Sequence, residues 1–385
     1  MIFSDFKKTQ RIGLCTSGYP DRLGLQKMFA DSLHQLGFEV LLCADGDQRA
    51  LTTDILLLIG CSNWFSGYEK LLLRCQQERP DVFLWQFEPF PMPGLSEKSL
   101  GIGKKIWKCD FEQLSLFWNR LTKRLVPNRH ILRDLYRKFL CRQLRKSLSP
   151  VQQQAYSDVS SRDIFKTMRE GIEAMHRCGS GWCDYVIAST PPRVEFLREK
   201  KIASFYAPTG WHPEWGQPLD RPRDIDVLFI GGLEGPRKRQ FQEVRNQLSE
   251  KGIDIFVAQG YYGRERTDLL NRSKIVLDLD RLGWELPIMR LVAAMPCGAL
   301  VITNWMGDPM PFLNDHLIQR RLEDFPEAVA YYLEHERQRQ MIAERAQDFV
   351  MGELSLVNVL RRLLVERKSW DGVLLKNVRD GMLPT

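Results

Sequence analysis

A glycine-rich turn followed by basic residues is the segment of this sequence best suited to binding phosphate. In "FIGGLEGPRKRQ", Gly231 and Gly232 follow an apolar run of strand length, and Arg237 and Lys238 fall in the first turn of a predicted helix. Glycines let backbone amides approach a phosphate, while the amino end of a helix and two cations attract its oxygens. The spacing is neither GxGxxG nor GxxxxGK[ST], so no ordinary dinucleotide or P-loop motif is indicated. The alternative is a turn followed by a solvated basic helix.

An acid and an arginine stand out in the otherwise apolar segment "GWELPIMRLVAAMPCGALVIT", residues 283–303. Glu285 precedes a predicted helix, and Arg290 falls inside it among Ile, Met, Leu and Val. A cation here suits a diphosphate leaving group, although an arginine can also extend from an apolar face into solvent. Glu285 is either a functional carboxylate or a cap of the turn before the helix. Gly298 stands at the turn before the next apolar strand.

Two further residues are of types that transfer protons. Glu88 follows a strand-length run in "WQFEPFP", where it can act as a base towards a hydroxyl group, cap a loop or pair with a basic neighbour. His212 lies in a segment rich in Pro, Gly and Trp. It serves either in proton transfer or as a hinge histidine packed between Trp211 and Trp215.

Composition limits the class of protein. There is no apolar run of membrane-spanning length and no signal peptide, so a cytoplasmic protein is expected. The nine cysteines form no CxxC pair, which indicates reduced and mostly buried thiols. His176, Cys178 and Cys183 are close in sequence, but no second ligand pair of standard zinc spacing accompanies them, and no metal site is predicted.

The order of apolar runs predicts an α/β protein with two Rossmann-like domains. Strand-length runs alternate with helical stretches in residues 1–208 and again in residues 225–385, where the chain ends in charged helices. Residues 209–224 have no period and indicate a linker. Continuous apolar strands between helices indicate parallel sheets covered on both faces, and the carboxyl ends of two such sheets bound a cleft where ligands bind.

A helical, basic region is inserted in the first domain over residues 104–175. Between positions 118 and 150 there are ten Lys or Arg and one acid, although the formal net charge of the whole chain is only +7. The helix predicted over residues 129–148 has three interpretations. In the first, the helix covers the sheet of its own domain and its basic face is solvated. In the second it contacts an anionic membrane surface, and in the third it forms a groove for an anionic acceptor. Nucleic acid is not expected as the partner.

The order of these segments resembles the donor-binding half of GT-B glycosyltransferases, and more narrowly the CgeB-like spore-maturation group. The resemblance covers residues 224–350 and rests on the strand and Gly-Gly turn, the Arg-Lys pair, "AQGYYGRERTDLLNRSKIVLDLD" and the segment ending in "CGALVIT". The amino-terminal half is similar in architecture alone. The resemblance implies a GT-B-like fold, with two domains facing each other across a cleft. Ser17 and Gly18 fall where GT-B enzymes have a small-residue loop facing that cleft.

Retaining GT-B enzymes carry two glutamates, separated by seven residues, before the turn that leads into this strand. Counting back from Gly298 places the first at Glu285 and the second at Ala293. In the family the first acid lies close to the sugar or the phosphates, and the second holds the ribose. The resemblance therefore gives Glu285 a role at the donor, while alanine stands in place of the ribose ligand.

Together these features predict a metal-independent glycosyltransferase with a nucleotide-diphosphate sugar as donor substrate, no cofactor and an unidentified acceptor. The catalytic candidates are Glu285, Glu88 and His212, and the donor and phosphate candidates are Gly231, Gly232, Arg237, Lys238, Arg290 and Gly298. Two alternatives stay open: a nucleotide-sugar epimerase of the same fold, and a protein that binds the nucleotide sugar without catalysis and acts as a scaffold, which Ala293 favours. Peripheral contact with the inner face of the membrane through residues 129–148 is part of the expectation.

Overall fold

The computed structural model describes residues 10–16, 24–75, 79–87, 94–108, 129–155, 161–233, 236–279, 286, 288–304, 307 and 310–369. Two parallel β-sheets, each flanked by helices, make up the fold, which confirms the predicted α/β class. Among the described helices, none is long and apolar enough to cross a membrane.

The first sheet has six parallel strands in the order β2-β1-β3-β4-β5-β6. Its strands are β1 (Arg11–Cys15), β2 (Glu39–Leu42), β3 (Ile55–Gly60), β4 (Asp81–Gln86), β5 (Tyr185–Ala188) and β6 (Ser204–Tyr206). Every residue of β3 and all but the first of β4 are buried. Apolar side chains on both faces of a central strand require a helical layer on each side, as the uninterrupted apolar runs predicted.

The helices of the first domain divide into a flanking set and an inserted set. The flanking helices are α1 (Leu25–Gln35), α2 (Ser66–Arg74) and α7 (Pro191–Glu199), and the inserted ones are α3 (Glu97–Lys108), α4 (Arg129–Ser147), α5 (Pro150–Ala155) and α6 (Ser161–Cys178). The insertion lies between β4 and β5, and α3, α4 and α6 pack against one another. Ile106, Leu144 and Ile172 are fully buried there, so each of these helices uses an apolar face to join the core.

The second sheet has five parallel strands in the order β11-β10-β9-β7-β8. They are β7 (Ile225–Ile230), β8 (Ile255–Ala258), β9 (Ser273–Asp278), β10 (Leu300–Thr303) and β11 (Ile318–Gln319). The helices are α8 (Pro236–Glu250), α9 (Gly263–Arg272), α10 (Ile288–Ala294), α11 (Phe325–Glu334) and α12 (Glu336–Met351). The chain leaves β7 for β8 on one side and returns to β9 on the other, so the carboxyl ends of β7 and β9 form the switch point where α/β proteins bind ligands.

The chain returns to the first sheet after α12. Helix α13 (Leu356–Leu360) packs against α1, and a π-helical turn follows at Arg361–Val365. Beyond it, the Oγ atom of Ser369 accepts a hydrogen bond from the backbone N–H of Tyr206 at 2.8 Å, and Arg367 pairs with Asp81 at 3.0 Å. The last described residues, which the sequence assigned to the second domain, therefore lie against β4 and β6 of the first.

The linker predicted at residues 209–224 runs beside this returning segment. The backbone N–H of Trp211 donates to the carbonyl of Leu354 at 2.8 Å, and that of Leu356 donates to the carbonyl of Trp211 at 2.7 Å. A short 3₁₀ helix, Pro213–Trp215, follows. Two segments of chain thus connect the sheets at one place and are hydrogen-bonded to each other.

Candidate functional site

A cavity of about 210 Å³ opens at the carboxyl ends of β7 and β8. Its walls are the glycine turn after β7, the tyrosine pair after β8, side chains of α9 and α10, and Trp215 from the linker. The cavity extends from the switch point towards β8, which is the edge strand of the sheet. Its position is the one that sheet topology predicts for a ligand.

The two predicted phosphate-binding glycines both line this cavity. Gly231 has φ 128°, and its N–H donates to the carbonyl of Ala258 at 3.0 Å. A β-carbon at Gly231 would lie 3.4 Å from the Nη2 atom of Arg290, whereas one at Gly232 would meet no atom within 4 Å. Gly231 is therefore needed for its backbone conformation, and Gly232 leaves open space above the turn.

Arg290 is brought to the cavity wall, but its charge is balanced by a residue that sequence reasoning did not assign to it. Its Nη1 atom donates to the Oδ1 atom of Asp278, which ends β9 and is 0% exposed, while the Arg290 side chain is 14% exposed. Thr303 donates its hydroxyl to the other carboxylate oxygen at 3.0 Å. The guanidinium carbon lies 5.6 Å from the ring centre of Phe229. Arg290 thus neither extends into solvent nor presents an uncompensated charge to the cavity.

Arg237 and Lys238 occupy the first turn of α8, next to the glycine turn. The Nε atom of Arg237 donates to the carbonyl of Leu279 at 3.0 Å, and its Nη1 atom donates to that of Gly232 at 3.3 Å. These two hydrogen bonds tie Arg237 to the glycine turn and to the end of β9. Lys238 is exposed. This turn therefore offers cations and a helix amino terminus together.

His212 caps the short helix of the linker and is not part of the cavity wall. Its Nδ1 atom accepts a hydrogen bond from the N–H of Glu214 at 3.2 Å, and its Nε2 atom lies 3.9 Å from a carboxylate oxygen of Asp31 in α1. Lys27 bridges Asp31 at 2.7 Å and Glu214 at 3.0 Å. Burial lowers the pKa of His212, although Asp31 acts to raise it. His212 is therefore buried in the linker, and these contacts join it to the linker and to α1.

Gly298 lies at the opposite end of the sheet from the cavity, so the structure does not bring it to the other phosphate candidates. It precedes β10 in a left-handed conformation with φ 71°. A β-carbon there would come within 2.5 Å of the Nη2 atom of Arg223, which donates to the carbonyl of Cys297 at 2.8 Å. Arg223 also donates to the carbonyl of Ser273, the first residue of β9, at 2.5 Å. Gly298 makes room for this guanidinium at the amino ends of the strands.

Four predicted residues lie outside the described part of the chain: Glu285, Glu88, Ser17 and Gly18. Their roles stay predictions. Ala293, which stands where the ribose-binding acid was expected, is buried in α10 and lines the cavity. Ala293 therefore lines the same cavity as the two glycines.

The cavity wall also includes Tyr261, Tyr262 and Arg266, none of which was predicted from the sequence to bind a ligand. The two tyrosines are exposed and directly follow Gly260 at the end of β8. The signal was present in "AQGYYGRERTD", where two aromatic side chains follow a strand and a glycine. Exposed aromatic side chains at the carboxyl end of a parallel strand are typical of a binding site.

The described residues contain no group of three His, Cys, Asp or Glu side chains arranged to hold a metal ion. His176, Cys178 and Cys183 line a separate cavity of about 420 Å³ beside α6. Burial raises the pKa of Cys183 to about 12 and also raises that of Cys178. Both thiols are therefore protonated at neutral pH.

A family model described as "Glycosyl transferase-like" matches residues 237–365. A search among curated proteins found no match. The solved structures to which the fold is similar include HepE from Anabaena in complex with UDP, at 10% identity over 97% of this chain and 100% of that chain, with a TM-score of 0.48.

A second similar structure is AviGT4, described as a glycosyltransferase involved in avilamycin A biosynthesis, at 12% identity over 93% of this chain and 98% of that chain, with a TM-score of 0.44. A third is a mutant of TarM from S. aureus in complex with fondaparinux, alpha-GlcNAc-glycerol and UDP, at 12% identity and a TM-score of 0.43. The match to TarM covers 51% of this chain and 46% of that chain, less than half of its length.

Proposed function

We propose that this protein is a glycosyltransferase that binds a nucleotide-diphosphate sugar at the cavity of the second domain. The observation that carries the proposal is the glycine turn at Gly231 and Gly232, which stands at the switch point beside the cationic first turn of α8. The segment that matches the glycosyl transferase-like model begins in that turn, at residue 237.

The diphosphate is proposed to lie on the glycine turn, within reach of Arg237 and Lys238. Negative charge develops on the leaving diphosphate as the bond to the sugar breaks, so cations held in place there lower the barrier. Hydrogen bonds to two backbone carbonyls keep Arg237 beside the glycine turn. Because these groups can neutralise the diphosphate, a metal-independent reaction is part of the proposal.

Arg290 contributes to this site in a different way from the one the sequence predicted. Its pairing with buried Asp278 leaves little net charge for a phosphate, so we propose that Arg290 stabilises the glycine turn instead. Glu285 near the sugar and Glu88 as the base towards an acceptor hydroxyl are kept as proposals from the sequence. The buried position of His212 in the linker supports a hinge role rather than proton transfer.

Helix α4 supports the proposal that the protein contacts an anionic membrane surface. Leu140, Leu144 and Leu148 are buried, whereas Leu135 and Phe139 are 56% and 52% exposed and Tyr136 is also exposed. Basic residues stand beside this apolar patch on the exposed side of the helix, at Lys138, Arg142 and Lys146. An exposed apolar face edged with cations is suited to the boundary between lipid headgroups and acyl chains.

The glycosyltransferase proposal is tested by incubating the protein with single nucleotide sugars, with and without candidate acceptors, and measuring release of the nucleoside diphosphate. Release that depends on an acceptor and persists in a chelator supports a metal-independent transferase. Conversion of one nucleotide sugar into another without release identifies an epimerase instead. Thermal stabilisation with neither reaction identifies a protein that only binds.

A further inference from the structure

Two guanidinium groups line the cavity, and they differ in how their charge is balanced. Arg290 is paired with Asp278. Arg266, on the second turn of α9, donates its Nη2 atom to the carbonyl of Trp215 at 2.9 Å, an interaction with no net charge. Its Nε atom is buried and has no hydrogen-bond partner among the residues that the structure describes.

The surroundings of Arg266 supply no anion from the described part of the chain. Burial lowers its pKa, and the groups that oppose this effect are Cys297 and Tyr262. Burial raises the pKa of Cys297 to about 12, so this thiol is uncharged at neutral pH. A half-buried cation with an unmet donor is costly unless a ligand provides acceptors.

Two tyrosine side chains line the cavity together with Arg266. Tyr261 and Tyr262 are exposed on the same wall, and Tyr262 precedes Arg266 by one helical turn. Tyrosine rings stack on planar heteroaromatic rings with little dependence on their identity. Arginine donates hydrogen bonds and accepts none, so it distinguishes among such rings by the acceptors at their edges.

The position of Arg266 separates it from the proposed phosphate site. The glycine turn and α8 follow β7 near the middle of the sheet, whereas the tyrosines and α9 follow β8 at its edge. A nucleotide with its phosphates on the glycine turn therefore extends its base towards β8 and α9. Small Ala293 lies in the wall of the same cavity.

We infer that Arg266 selects the nucleobase of the donor by donating hydrogen bonds to the ring edge of a base stacked on Tyr261 or Tyr262. This inference rests on the proposed function. Guanine presents adjacent O6 and N7 acceptors, and uracil presents carbonyl oxygens. Adenine places its amino donor beside N7, where a second donor from arginine finds no acceptor. The site therefore prefers a guanine or uracil nucleotide to an adenine nucleotide.

Calorimetric titrations with UDP, GDP, ADP and inorganic pyrophosphate test the inference on the full chain. The preferred nucleotide, UDP or GDP, is expected to bind about tenfold more tightly than ADP, a ratio within the range for one bidentate arginine contact to a base. Arg266→Met is expected to weaken that nucleotide about tenfold, while ADP and pyrophosphate change by less than about twofold. The matched control is Arg264→Met, since Arg264 is exposed on the same helix and is not part of the cavity wall.

Each other outcome overturns a defined part of the inference. If Arg266→Met weakens the binding of all four ligands equally, Arg266 is a phosphate ligand. If the preference among nucleotides is unchanged in this variant, Arg266 has a structural role. In both cases the proposed function stands. Absence of nucleotide binding to the unmodified protein removes the proposed function itself. If Arg266→Met unfolds, Arg266→Lys provides the same comparison, because it keeps the charge and loses the planar fork.

Discussion

Arg290 of α10 and Asp278 at the end of β9 form a buried ion pair directly beneath the glycine turn. Removal of one partner from a buried pair leaves the other charge without compensation. Arg290→Met and Asp278→Asn are each expected to reduce the free energy of unfolding by about 3 kcal/mol, measured by urea denaturation.

The double variant serves as the control for this prediction. With both charges removed, the loss is expected to be smaller than the sum of the two single losses. Strictly additive losses would show that the two side chains do not interact.

The two cavity glycines are expected to respond differently to the same substitution. Gly231→Ala places a side chain in a strained conformation against Arg290 and is expected to cost about 1–3 kcal/mol of unfolding free energy. Gly232→Ala extends into open space and is expected to change unfolding by less than about 0.5 kcal/mol while reducing donor affinity roughly tenfold. Urea denaturation and calorimetry measure the two effects. Unaltered donor affinity in Gly232→Ala would place the phosphates elsewhere.

Arg237 is expected to contribute to donor affinity through its charge. Arg237→Ala should weaken binding of the nucleoside diphosphate by about tenfold or more, because a hydrogen bond to a charged phosphate is lost. The matched control is Arg245→Ala, at an exposed arginine farther along α8. The measurement is titration calorimetry at fixed salt concentration. Equal affinities for the two variants would remove Arg237 from the site.

The linker histidine predicts a dependence of stability on pH. Burial lowers the pKa of His212, and also that of His316, below the usual value of about 6.5. As the pH falls through 6.5, these histidines are therefore protonated in the unfolded chain before they are protonated in the folded protein. The free energy of unfolding is then expected to decrease as the pH falls below about 6.5.

A comparison of variants isolates the contribution of His212. The decrease in melting temperature between pH 7.5 and pH 5.5 is expected to be smaller in His212→Gln than in the unmodified protein. His34→Gln, at an exposed position of α1, should behave like the unmodified protein. An undiminished decrease in His212→Gln would assign the pH dependence to other groups.

The exposed face of α4 predicts binding to anionic vesicles. Replacement of Leu135 and Phe139 by serine is expected to lower the fraction that sediments with phosphatidylglycerol-containing vesicles about fivefold or more, because two apolar side chains no longer insert. The control is Leu73→Ser, at an exposed leucine of α2. Vesicles of phosphatidylcholine alone should bind the unmodified protein weakly. Equal sedimentation of all variants would leave the apolar face without a role at membranes.

The strands could be predicted because burial on both faces leaves a clear pattern in the sequence. All six residues of β3 are apolar or glycine, and all are buried. The pairing of Arg290 could not be predicted in this way, since Asp278 comes twelve positions earlier and the two meet only through the path from β9 to α10. Arg266 was overlooked because "GRERTD" has the charge pattern of a solvated helical turn. The packing of α13 against the first domain could not be predicted either, since an amphipathic pattern does not specify which sheet a helix covers.

For the helix predicted over residues 129–148, the sequence pattern does not determine which side of the helix is buried. Leu140, Leu144 and Leu148 are buried, whereas Leu135 is exposed, so the structure divides the leucines of this segment between two sides. Helical periodicity gives the angle between side chains, but the position of α3 and α6 decides which of those directions is interior.

The hydrogen bonds between the linker and the segment at 354–356 bear on how this chain can be divided. In a chain cut at the linker, α13, Arg367 and Ser369 would no longer be joined to the first domain. The surface of the first domain that these residues cover would then be exposed. The two sheets are therefore separate in topology, but the first is completed by chain that follows the linker.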